Sequence, residues 1–369
     1  MKKIIISEPY LPELDDVVSA LSDIWVSKWL TNDGPYLKGF EHQLQEYLGA
    51  DYLSVQNNGH SSLEVGLRAL DVKGEVITTP YSFVSTSLAI RNIGAQVVYA
   101  DITEGGVNID PYSVEKMITD RTSAIVAVHT YGIPCDIPAL TEISKKYGIK
   151  LIFDGAHSFG VRLDNMPISS FGDMTMYSFH ATKLFHCIEG GALIVQDSAL
   201  LDRVRKIRNF GISGPDNIDG EGTNAKLNEI LAAIGLLNLS SIDSEIQRRA
   251  ELSNLYSQCL AGIDEISCLV VPDNVIWNYS YFPVFFDLGS LSMTTLDIEV
   301  ALKDLGILAR RYFSTSLNTI DIFRDCKGAT QCENSETLAQ CVLCLPIHGG
   351  MTDDDVLLVC NGMKKILEN

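Results

Sequence analysis

Positive charge is what this sequence is short of: 28 Lys and Arg stand against 47 Asp and Glu, a formal net charge of −19. So acidic a chain repels polyanions, which excludes a general electrostatic grip on nucleic acid or anionic lipid. A phosphorylated ligand must then be held locally, by backbone amides and one or two side chains. Long apolar runs are missing too. No stretch approaches the roughly 20 residues that span a bilayer. In the opening MKKIIISEPYLPELDD, a proline and several acids arrive before a signal-peptide core can form. The expectation is a cytoplasmic protein with no membrane segment. Repeats, low-complexity tracts and long linkers are also absent, which leaves ordinary packed domains. Cysteine is not scarce, but its nine copies are an odd number and sit in apolar runs such as AQCVLCLPI, as reduced buried thiols do. Cys341 and Cys344 form a C-x-x-C pair, yet no second pair follows to complete a metal or redox site. No metal is expected.

The 369 residues suffice for about two domains. For two thirds of the chain, apolar β-rich runs alternate with helical patterns. AIVAV and KLIF lack polar alternation, as strands buried on both faces of a parallel sheet do. The interleaving predicts an α/β fold with a mostly parallel sheet between helical layers, and ligands at the carboxyl ends of its strands. From Leu227 a long helical pattern with a break near Ser240 to Asp243 leads into a second unit. That unit has a strand-like VIWNYSYFPVFFDL and helices at TTLDIEVALKDLG and TDDDVLLVCNGMKKILEN. We divide the chain into 1–245, a large domain with an N-terminal arm, and 246–369, a small α+β domain. Gly211 to Asn224 reads as a glycine-rich acidic loop.

Four features bear on chemistry. In LSVQNNGHSSLEVGLRAL a strand meets a helix through a polar turn. There the amides of Gly59, His60 and Ser61 offer an anion site. IKLIFDGAHSFG puts Asp154 at the end of an apolar strand, where a carboxylate needs a cation or donors, with His157 close behind. His129 and His180 lack chelate spacing with Asp154, so a metal fits poorly. A protonated heterocyclic nitrogen fits better, and pyridoxal phosphate (PLP) carries one. Phe83, in TTPYSFVST, offers a flat face for such a ring. Lys183, in SFHATKLFHCIEGGALIV, is either a surface lysine or an amine whose charged form is disfavoured, able to bond an aldehyde.

In this order the motifs resemble those of the DegT/DnrJ/EryC1/StrS family of PLP-dependent nucleotide-sugar aminotransferases, which have the fold type I architecture. The likeness runs through WLTNDGP, NNGHSSLEVGLRAL, VHTYGIPCDI, FDGAHSFG, SFHATK and NEILAAIGLLNL. It implies that Lys183 bonds the cofactor and that Asp154 pairs with its ring nitrogen. Phe83 would stack on the ring, and His157 would lie near its phenolic oxygen. Ser178 and the amides of Gly59 and His60 would hold the phosphate. Asn224 would reach the phosphate of a neighbouring subunit, which implies a homodimer with shared sites. His60 replaces the family's usual threonine and Lys226 its usual arginine.

Trp29, Thr31, Arg310, Arg311 and Tyr312 are candidates for substrate contact. IWVSKWLTNDGP and SFHATK are similar to members that move an amino group from L-glutamate to C4 of dTDP-4-keto-6-deoxy-D-glucose, for O-antigen or other surface polysaccharide. Open at this point are a UDP or GDP nucleotide, C3 regiochemistry, the stereochemistry, glutamine as donor, a cofactor-binding regulator without turnover, and the role of His186.

Overall fold

The computed structural model describes residues 3–368. Its central sheet has seven strands: β1 (Leu53–Gln56), β2 (Glu75–Thr78), β3 (Gln96–Tyr99), β4 (Thr122–Val128), β5 (Lys150–Asp154), β6 (Met174–Ser178) and β7 (Gly191–Val195). They lie in the order β1-β7-β6-β5-β4-β2-β3. Only β7 is antiparallel to its neighbours, β1 and β6; the other pairings are parallel. The missing alternation in AIVAV and KLIF now has its cause. Ile125, Ala127, Leu151 and Phe153 pack into one core, and Ala124, Val126 and Ile152 into another. Each strand is therefore apolar on both faces.

Two helices fill the span expected from Leu227, Glu229–Leu239 and Ile242–Leu260, with the break at Ser240 and Ser241. The second crosses residues 245 and 246, and its Leu252, Tyr256 and Leu260 pack with a separate core. That core also takes in Ile4 and side chains from β8 (Ile266–Cys268), β9 (Phe282–Phe286) and β10 (Val342–Leu345). These three strands form an antiparallel sheet with β9 in the centre. Its helices Thr295–Asp304 and Asp353–Leu367 both begin with capping boxes, Thr294 with Asp297 and Thr352 with Asp355.

VIWNYSYFPVFFDL is not one strand. Val275–Ile276 and Phe282–Phe286 pair in different sheets, and between them Trp277 and Asn278 turn inward to bond loops of the large sheet. The Gly211 to Asn224 segment is an exposed hairpin, Ile212–Gly214 against Asn217–Ile218. All nine cysteines are free thiols. Among the described residues no helix is long and apolar enough to cross a membrane.

Candidate active site

Strand β5 delivers Asp154 at its carboxyl end, where the residue is 5% exposed. Its Oδ2 accepts from Thr86 Oγ1 at 2.7 Å and its Oδ1 from the Ala156 N–H at 3.0 Å. Among the described residues no cation forms an ion pair with it. Burial raises its pKa above the ordinary 3.8, and Thr86, the Ala156 amide and Lys183 draw it back. A buried carboxylate in this state has room for one more donor, best a charged one.

Lys183 lies in the loop between β6 and β7, half-buried, and its Nζ donates to Tyr281 Oη at 3.4 Å. Burial lowers its pKa, against the opposing pull of Asp154 and Tyr312. The amine is thus more readily neutral than a surface lysine's. His157 is buried beside them, and its Nδ1 accepts the Tyr131 N–H at 3.2 Å. Burial, then Lys183, holds its pKa well below 6.5. The ring is neutral, and because Nδ1 accepts, the proton belongs on Nε2. Its plane lies within 14° of Phe313 and 12° of Tyr131.

The anion cradle forms where β1 turns into the helix Gly59–Ala69. Asn58 Oδ1 caps the Ser61 N–H at 2.7 Å, and the first-turn amides of Gly59 and His60 have no partner within the helix. A Cβ on Gly59 would lie 2.8 Å from Ser178 Cβ, so glycine is what lets the turn meet the end of β6. The His60 imidazole is engaged elsewhere. Its Nδ1 is 2.8 Å from Ser85 Oγ, and its Nε2 is 3.0 Å from Glu64 Oε1 and 3.2 Å from Asn92 Nδ2. That leaves its backbone amide, in the first turn, as the group of His60 without a partner within the helix.

Phe83 is 62% exposed at the N-terminus of the helix Val84–Asn92, one turn ahead of the Thr86 that holds Asp154. Tyr312 approaches from the C-terminal part of the chain. Its ring stands edge-on to Tyr281 at 5.5 Å, and its carbonyl accepts from the hydroxyls of Tyr81 and Tyr131. The exposed Arg310 guanidinium lies 5.0 Å from the Tyr312 ring centre, whereas Arg311 is paired with Glu299 at 2.7 Å.

Other candidates stand apart. Trp29 and Thr31 are exposed on a loop that a 2.6 Å ion pair between Asp33 and buried Arg208 secures, and no contact among the described residues joins them to Lys183. Asn224 is exposed, with its Oδ1 accepting from Lys226 Nζ at 2.8 Å. His186 is buried, its Nε2 2.9 Å from the Tyr10 carbonyl, a tie to the N-terminal arm. Thr86, Tyr131 and Tyr281 were not foreseen. Thr86 was within reach, one helical turn after Phe83; Tyr281 comes from a remote segment that carries no local signal.

The residues present fit PLP. Among the described residues a buried carboxylate has no cation paired with it and two first-turn helix amides have no partner within their helix, while an amine of lowered pKa lines one small cavity with Ser178 and acts on Asp154. A larger cleft of about 800 Å³, lined by Val107, Ile133, Leu269, Val270 and Leu338 among others, contains none of these groups.

Comparison with known proteins agrees. The chain is 37% identical over 365 residues to a dTDP-4-amino-4,6-dideoxy-D-glucose transaminase of Shigella dysenteriae, covering 99% of both chains. It is also 37% identical over 363 residues to one of Escherichia coli, covering 97% of both. The solved structure of DesI with its TDP-sugar product superposes with a TM-score of 0.95 at 31% identity, over 100% of this chain and 93% of that one. With residues 13–364 matching the family as a whole, the chain belongs to the DegT/DnrJ/EryC1/StrS aminotransferase family and is a PLP-dependent aminotransferase of the fold type I architecture.

Proposed function

We propose that the protein transfers an amino group from L-glutamate to the C4 ketone of dTDP-4-keto-6-deoxy-D-glucose, giving dTDP-4-amino-4,6-dideoxy-D-glucose for surface polysaccharide. The observation that carries this reading is end-to-end likeness to two transaminases named for that product, combined with the Lys183, Asp154 and His157 group. When bound, PLP supplies an aldehyde that takes up the donor's amino group and a protonated ring that accepts electron density.

The chain's own residues do the rest. Asp154 would accept from the ring N–H, and its fixed geometry follows from Thr86 and the Ala156 amide. The amides of Gly59 and His60 with Ser178 would hold the phosphate. His157, neutral, would present its Nε2–H as a donor, and Phe83 would cover the ring. Lys183 would hold the cofactor's aldehyde carbon and, when free, its Nζ would take up and give back a proton; its lowered pKa suits it to act first as base, then as acid. Arg310, Tyr312, Trp29 and Thr31 would contact the substrates.

In this reading residues 1–245 bind the cofactor and 246–369 form the smaller unit. Two copies share their sites, with Asn224 reaching across. Exposed Trp25, Val26, Phe210 and Ile218 offer apolar surface for that pairing.

Absorbance tests the proposal. The signal of lysine-bound PLP should vanish when L-glutamate is added and return with dTDP-4-keto-6-deoxy-D-glucose; NMR of the product reads the amine position. Lys183→Ala should keep the fold and lose turnover. No response to any amino donor, or a response only to another keto sugar, overturns the assignment.

A further inference from the structure

Lys183 Nζ has one hydrogen-bond partner among the described residues, and it comes from beyond the large sheet. Tyr281 Oη accepts from it at 3.4 Å. Tyr281 directly precedes β9, the central strand of the small sheet, and its position is built rather than incidental. Two residues just ahead of it are clamped onto the loops that carry the site. Trp277 Nε1 donates to the Tyr131 carbonyl at 2.9 Å, and Asn278 Nδ2 donates to the carbonyls of His157 and Phe159, each at 2.9 Å. Gly132 makes this approach possible, since a Cβ there would lie 2.8 Å from Asn278 Oδ1 and 3.1 Å from Trp277 Nε1. The Tyr281 ring is then seated against His157 at 4.6 Å, Tyr312 at 5.5 Å and Tyr131 at 5.8 Å. Burial raises its pKa, so the hydroxyl stays neutral and can either accept from an ammonium or donate to an amine.

We propose that Tyr281 is the positioning residue for Lys183: its hydroxyl holds the lysine nitrogen in place during the part of the cycle when Lys183 is not bonded to the cofactor. A freed lysine has four rotatable bonds and would otherwise wander from the carbon whose proton it moves. A neutral hydroxyl suits both of its states, whereas a carboxylate would lock it as an ammonium. The contact also makes reactivity depend on the seating of the small sheet against the large one.

This inference rests on the reading of Lys183 as the reacting amine, and Tyr281→Phe tests it in the full-length holoenzyme. The variant keeps the ring and its packing. PLP affinity and both KM values should stay within about twofold, while kcat and the single-turnover rate with L-glutamate fall about tenfold or more, the usual worth of a hydrogen bond to a charged group.

The acidic limb of the kcat profile should move to lower pH, because the hydroxyl's bond from the ammonium is charge-assisted and stronger than its bond to the neutral amine. Asp154, His157 and Tyr312 face the amine, and Arg249, Arg310, Cys344 and Tyr131 surround Tyr281; all stay in place. Asn278→Ala, which releases the clamp and leaves the hydroxyl, should give the same split between kcat and KM, more weakly. A Tyr281→Phe enzyme with wild-type single-turnover rate and pH profile overturns the role. So does a loss confined to PLP affinity. Lys183→Ala that still turns over would instead overturn the underlying reading of Lys183.

Discussion

Asp154 and His157 sit within one loop's length of each other, and burial moves them in opposite senses: it favours the protonated acid and the unprotonated imidazole. For His157 this fixes the sign of a pH effect. Its folded pKa lies below 6.5, so between the two values the unfolded chain binds the extra proton. The stability it contributes is complete above pH 6.5 and is lost as pH falls from there toward the folded value. His157→Asn keeps an acceptor for the Tyr131 N–H but cannot take up the proton.

In the full chain freed of cofactor, the decline of stability below pH 6.5 should be shallower in the variant by one proton's worth. Buried His129, held down at about 3, and His186 add slope of the same sign, and Asp154, whose pKa burial raises, adds slope of the opposite sign, in wild type and variant alike. Denaturant titrations across pH compare the slopes rather than the midpoints, so packing lost with the imidazole does not confuse the result. An unchanged slope would mean that His157 carries its charge in the folded state.

At the scale of elements, the cradle depends on the helix Gly59–Ala69 starting hard against the end of β6. Gly59→Ala inserts a methyl 2.8 Å from Ser178 Cβ and 3.2 Å from Ser178 Cα, and both atoms are fixed by the backbone and cannot rotate away. Overpacking of this kind costs about 1–3 kcal/mol. The cheapest relief is for the helix start to back away from Ser178, which spreads the two amides and the hydroxyl apart. PLP affinity, measured by equilibrium dialysis, should weaken about tenfold or more, while far-ultraviolet circular dichroism stays as in the wild type.

Such elements were legible because their signals are local. The glycine turn, the apolar strand ending in Asp154 and the isolated Lys183 each fall within a few residues, and so did the break at Ser240. What stayed hidden is long-range. Nothing in NYSYF announces that Asn278 bonds the loop at His157, or that Tyr281 reaches Lys183. Read by period alone, the same stretch suggested one continuous strand. His60 illustrates the same limit: the resemblance gave a role to its amide and none to its ring, and only the fold shows that Ser85 and Asn92, from a helix across the turn, claim both ring nitrogens.

On the scale of the whole molecule, one chain provides a lysine, an acid and an anion cradle, yet Asn224 turns its amide to Lys226 and solvent rather than to its own Lys183. Apolar Trp25 and Val26, 65% and 84% exposed on the helix Leu14–Ser27, and Phe210 and Ile218 around the hairpin, leave surface that a second copy would cover. If two copies exchange Asn224, activity can be rebuilt from two defective chains. A heterodimer of Lys183→Ala with Asn224→Ala has one site missing both groups. The other takes its lysine from the Asn224→Ala chain and its asparagine from the Lys183→Ala chain, so it is intact. Random pairing of equal amounts then gives about a quarter of the wild-type sites, since half of the dimers are mixed and each holds one good site. Co-expression with two different affinity tags isolates the mixed dimer, and its turnover should approach half the wild-type value, about twice that of the unsorted mixture. Mixed dimers no more active than the Asn224→Ala homodimer contributes through its own lysines would place Asn224 with its own chain's site and remove the need for a partner.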